Sequence, residues 1–105
     1  MITELNMKNW NDTVINSNKL TLVDVWAPWC GPCKMLGPIV EKIASEHPEY
    51  NIYKLNADDN RELTISLGVK NIPTCIIFKD GKIIDKFVGL KSEAEILNIL
   101  EKNLE

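Results

Sequence analysis

The chain has 105 residues, 45% of them hydrophobic and 26% charged, with a formal net charge of -3. That length suits one domain with its own core, and the acidic balance argues against binding nucleic acid or an anionic membrane by bulk attraction. No apolar run approaches the roughly 18 residues of a membrane span, so a single soluble domain over residues 1–105 is expected.

Met7 to Val14 reads as a first helix, with Trp10 and Val14 four apart on one face. The apolar run Leu20-Thr21-Leu22-Val23-Asp24-Val25-Trp26 reads as a buried central strand. From Pro32 to about His47, Met35, Leu36, Ile39, Val40 and Ile43 recur at helical spacing. Gly37-Pro38 interrupts that helix, and an interior proline, costing about 3 kcal/mol, predicts a bend. Asn51 to Leu55 is a second strand, and Asp59 to Leu67 a short helix ended by Gly68. Thr74 to Phe78 and Lys82 to Val88 are strands joined across the hairpin signal Asp80-Gly81. Ser92 followed by Glu95 is a capping box, which opens a last helix with Ile96, Leu97, Ile99 and Leu100 inward.

We read the element order as βαβαβαββα, in which the pattern does not place the opening strand. Strand–helix–strand crossovers imply parallel neighbours covered by helices, and the hairpin adds antiparallel pairing on one side. The expected fold class is therefore α/β, a mixed sheet with helices on both faces.

The pentapeptide Trp29-Cys30-Gly31-Pro32-Cys33 places two thiols where the central strand gives way to the long helix. Residues three apart in a first helical turn share a face, with Cβ atoms roughly 5–6 Å apart, and a small rotation brings them to disulfide distance. Cys30 would lie by free backbone N–H groups and the positive end of the helix dipole, which favour a thiolate. It is the expected attacking sulfur, with Cys33 more buried and acting second. Pro32 suits the first turn, where its missing N–H has no helical partner, and Gly31 leaves the approach to Cys30 open.

A structural disulfide is the weaker alternative. A four-residue loop yields about 2 kcal/mol of chain-entropy stabilisation, against about 4.7 for a hundred-residue loop. A zinc site needs four ligands, and only Cys75 and His47 remain. No metal and no bound cofactor are expected; the motif reads as a dithiol–disulfide redox site.

Asp24 lies inside an otherwise apolar strand, and is either buried, where a carboxyl pKa rises, or a strand-edge residue pointing at solvent. Cys75 alternates away from Thr74 and reads as a small buried hydrophobe. Trp10 and Trp26 are assigned to the core, and Trp29 to an apolar contact surface beside the nucleophile.

Over essentially its whole length the chain resembles the thioredoxin family. The residues that carry the match are Val23-Asp24, Trp26-Ala27-Pro28-Trp29-Cys30-Gly31-Pro32-Cys33-Lys34, Lys54-Leu55-Asn56, Ile72-Pro73-Thr74, Phe78, Gly81 and Val88-Gly89. The resemblance implies a thioredoxin fold and a protein disulfide reductase that is re-reduced by a thioredoxin reductase. It implies that Asp24 exchanges a proton with Cys33 and that Lys54 tunes Asp24. X–Pro bonds are usually trans, but the resemblance implies a cis Pro73. The backbone of Ile72 and Thr74 would then meet an extended substrate segment, with Trp29, Gly31, Pro32 and Gly89 completing the contact surface. The expected partners are the reductase and disulfide-containing proteins, and the expected state is a monomer. Met1 to Asn6 lacks the basic region and apolar core of a secretory leader. Three cysteines, two of them in one motif, fit a reducing compartment, so the cytoplasm is the expected location.

Overall fold

A computed structural model of the chain describes residues 2–104. Its strands are β1 (Thr3–Glu4), β2 (Thr21–Trp26), β3 (Asn51–Asn56), β4 (Thr74–Lys79) and β5 (Lys82–Val88). Its α-helices are α1 (Gly31–Glu46), α2 (Arg61–Ser66) and α3 (Glu93–Lys102). The sheet runs in the order β1-β3-β2-β4-β5. β1 and β2 are both parallel to β3, whereas β4 is antiparallel to β2 and to β5. This is the expected mixed sheet, with a parallel core and an antiparallel hairpin on one side.

The opening strand is only Thr3–Glu4, both exposed, so no alternation betrays it in the sequence. The segment expected to be a first helix instead closes as a π-helical turn over Asn11–Ile15. Trp10 and Val14 are nevertheless both buried, and Trp10 meets Phe78 edge-on at 5.5 Å.

Strand alternation divides the core into two layers. On one face Leu22, Leu36, Val40, Ile43, Ile77, Ile96 and Leu100 pack together; on the other lie Val14, Val23, Val25, Leu55, Leu63, Ile76 and Phe78. Both faces of β2 are covered, which is why it reads as an unbroken apolar run. Ile96 and Leu100 of α3 are fully buried, while Leu97 and Ile99 flank them half-buried. Met35 departs from the expected buried face of α1 and is 61% exposed. It directly precedes Leu36, and with about 100° of turn per residue Leu36 takes the inward position while Met35 falls on the outer flank.

The ends of the elements follow local chemistry. α1 runs on through Pro38, whose ring nitrogen has no proton for the carbonyl of Lys34. Gly68 follows α2 with φ +75°, and the Ser92–Glu95 capping box forms both of its hydrogen bonds. Asp80 and Gly81 both have positive φ, 52° and 76°, and form the two-residue hairpin. At Gly81 a Cβ would also strike the carbonyl of Ile15, so the π-helical turn packs against the hairpin tip.

Candidate redox site

β2 delivers the chain into Ala27-Pro28-Trp29, and α1 begins immediately afterwards. Cys30 is the N-cap of α1, in extended backbone conformation, and its Sγ accepts the backbone N–H of Cys33 at 3.2 Å. The two cysteines are joined as a disulfide with their Cα atoms 5.3 Å apart. The helical turn itself sets this distance, so the ring closes with no long-range movement. On reduction, a Cys30 thiolate keeps the Cys33 N–H and the positive end of α1 as stabilising partners.

Cys33 is not deeper than Cys30, contrary to the sequence expectation: each is 5% exposed. The bond holds both sulfurs in one small cluster with Ala27, against Trp26 and Ile72. The space over Gly31 is open, and Pro32 is exposed.

Asp24 is completely buried, and neither carboxylate oxygen has a hydrogen-bond partner. Burial pushes its pKa up from 3.8 to about 7; Lys54 pulls it down and Glu4 adds to the rise. Lys54 stands opposite Asp24 in the parallel β2–β3 register, and Cys75 stands opposite it in the antiparallel β2–β4 register. The Lys54 ammonium lies 4.6 Å from the centroid of the Trp26 ring. Cys75 is fully buried, as expected, and burial together with the Asp24 charge pushes its thiol pKa well up.

A cleft of about 380 Å³ runs between Cys33 and Lys54, walled by Trp26, Gly37 and Glu41. Trp26 is therefore not the core residue expected from the sequence. It is half-buried between the disulfide cluster and the Lys54 ammonium, with its indole Nε1 buried and without a partner.

Trp29 is 70% exposed beside Cys30, and its Nε1 donates to Asp58 Oδ1 at 3.2 Å. The Ile72–Pro73 bond is cis. Ile72 packs against the disulfide cluster, whereas Thr74 is buried as the first residue of β4, opposite Val25 and Val88. Gly89 donates its N–H to the carbonyl of Pro73 at 2.8 Å, which ties the end of β5 to this loop. The end of β2, the start of α1 and the start of β4 thus converge because β4 runs antiparallel to β2. Exposed Val88 and Leu90 extend the apolar rim.

Sequence reasoning missed Asp58 and Glu4 as neighbours of the site. Asp58 lies 29 residues from Trp29, and no local pattern links them. A larger groove of about 630 Å³ lies between segment 67–71 and β5 and reaches the site at Thr74 and Val88. Among the described residues, no group of three or more His, Cys, Asp or Glu side chains converges as a metal-ligand set.

A Cys-x-x-Cys disulfide capping a helix on a five-stranded mixed sheet, with a buried carboxyl in the strand that leads into it, defines a class of thiol–disulfide redox proteins. A family model described as Thioredoxin matches residues 1–102. The chain is 37% identical over 102 residues to a thioredoxin of Pyropia yezoensis, covering 96% of this chain and 95% of that one. It is 41% identical over 92 residues to thioredoxin 1 of Synechococcus elongatus, covering 87% and 86%. It is 38% identical over 104 residues to a thioredoxin of Staphylococcus saprophyticus, covering 98% of both. The chain belongs to the thioredoxin family.

Proposed function

We propose that this chain is a general protein disulfide reductase, working as a monomer in the cytoplasm. The observation that carries the reading is the Cys30–Cys33 disulfide at the N-terminus of α1, beside the exposed ring of Trp29. In the reduced protein the Cys30 thiolate attacks a substrate disulfide, and one substrate sulfur leaves and takes up a proton. The resulting mixed disulfide is attacked in turn by Cys33, whose proton passes to Asp24, by way of water in the cleft below. The second substrate thiol departs, so two electrons have moved to the substrate and the Cys30–Cys33 bond has re-formed.

Lys54 moderates the basicity of Asp24. Trp29, Gly31, Pro32 and Gly89 frame the docking surface over the buried Pro73 and Thr74, and Ile72 offers its backbone to an extended substrate segment by strand-like pairing. The chain holds no cofactor of its own, and a thioredoxin reductase restores the dithiol. Gly31-Pro32 places no positive charge between the sulfurs to favour the reduced form strongly, which suits a reductant.

The test is a titration of the Cys30–Cys33 pair against a dithiol buffer, followed by tryptophan fluorescence. A potential below about −230 mV is expected, beneath those of glutaredoxins and protein disulfide isomerase. A value well above these would make the protein an oxidant and overturn the reading. In parallel, Cys33→Ser should trap a mixed disulfide through Cys30 with a disulfide protein such as insulin.

A further inference from the structure

Asp24 is the inner member of a row of side chains that crosses the sheet. The register sets Glu4 of β1 opposite Lys54 of β3, and Lys54 opposite Asp24 of β2. Side chains at matched positions of neighbouring strands project from the same face, and two strand spacings separate Glu4 from Asp24 by roughly 10 Å. The row therefore alternates in charge: an exposed acid, a half-buried amine, a buried acid. Cys75 of β4 continues it on the far side.

Lys54 closes on neither acid. Its ammonium rests over Trp26 instead, and among the described residues it forms no ion pair within 4.0 Å. A cation left between two carboxyls is shared, so what the outer acid takes from it the inner one loses. Glu4 also borders the back of Trp26, in a pocket of about 500 Å³ shared with Asn56 and Asp59.

We propose that Glu4, on the outermost strand, is a positioning residue for the redox reaction and sets, through Lys54, how readily Asp24 gives up its proton. The proposal rests on the reading that Asp24 accepts the proton of Cys33. The other titratable or charged groups near the row are Cys33, Lys34 and Glu41 around the cleft, Asp59 beside Glu4, and Cys75. The direction follows from Coulomb's law. A like charge disfavours ionisation, and at this separation with largely aqueous screening its removal is worth roughly 0.3–0.6 pH unit.

The experiment follows the Asp24 carboxyl carbon by NMR in the full chain, wild type against Glu4→Gln, Glu4→Asp and Glu62→Gln. Measurement at about 0.01 M salt makes the Debye length roughly 30 Å; at about 1 M it is roughly 3 Å. In low salt the Asp24 midpoint should fall by roughly 0.3–0.6 pH unit in Glu4→Gln and stay put in Glu4→Asp and in Glu62→Gln. The difference should collapse in high salt, and the acid limb of the insulin-reduction pH profile should move down with the midpoint. An unmoved midpoint in Glu4→Gln, or an equal fall in Glu62→Gln, would overturn the proposal. A fall that persists undiminished in high salt would overturn it too, because it would mark a rearrangement of β1. If the wild type fails to reduce insulin, the reductase reading fails by itself, whereas the NMR midpoints still decide the role of Glu4.

Discussion

Replacing Asp24 with Asn should stabilise the protein, and by an amount that depends on pH. The carboxyl is fully buried with both oxygens unpartnered, and its pKa is lifted from 3.8 to about 7. At 1.36 kcal/mol per pH unit, that rise corresponds to about 4 kcal/mol of folding free energy. The sign follows from proton counting. Below pH 3.8 the carboxyl is protonated in both folded and unfolded chains and costs nothing through ionisation. As the pH climbs from 3.8 towards 7, the unfolded chain gives up its proton while the folded one holds it, and stability declines. Above 7 the penalty is constant.

Asn removes this ionisation penalty but leaves a buried amide in place of a buried acid, two groups of similar desolvation cost. The oxidised Asp24→Asn protein should therefore exceed wild type by about 2–4 kcal/mol at pH 8 and match it within about 1 kcal/mol near pH 3.5. Urea unfolding of both proteins at the two pH values, analysed by linear extrapolation, measures the difference. A stability gain of the same size at both would refute the reasoning, since it would trace to packing and not to ionisation. The same variant should reduce disulfides more slowly near neutral pH, because Cys33 loses its proton acceptor.

Lys54→Met should raise the Asp24 midpoint above its value of about 7 by removing the one neighbour that lowers it; a carboxyl NMR titration that shows a fall or no change would count against the electrostatic scheme. Gly81→Ala should cost about 1–3 kcal/mol, from a positive φ combined with contact on the Ile15 carbonyl, and a urea midpoint near wild type would disprove the close packing there. Ser92→Ala removes the side chain that accepts the Glu95 N–H and should destabilise α3 by about 1 kcal/mol, seen as a lower urea midpoint with an unchanged slope.

Much of this architecture is written in local patterns. The Cys-x-x-Cys pair, the strand before it and the helix after it are contiguous, so a short window contains the whole redox motif. Asp24 stands out because a charge inside an apolar strand contradicts its surroundings. What stayed hidden depends on pairing between distant segments. Nothing near Glu4 shows that it will stand beside Lys54, because β1 is two residues long and exposed on both. Trp26 reads as core until the register places the Lys54 ammonium over its ring. Asp58 gains its role only when the turn after β3 folds back towards Trp29. The first helix departs from its pattern for the opposite reason: Trp10 and Val14 share a buried face whether the turn between them is α or π.

An open sheet has two edges, each a template on which another chain can polymerise. Here one edge is β1, which offers only two rungs. The other is β5, where Lys82 and Lys86 flank the exposed Ile83 and Ile84 and the pairing with β4 shifts register at Ile77/Phe78. Lysines and an irregular twist are features that discourage edge-to-edge growth. The fold therefore keeps both edges unattractive to other strands, and under the proposed function an incoming chain aligns instead at the loop of Ile72, which packs against the disulfide cluster. At high concentration such a protein is expected to resist stacking into fibres.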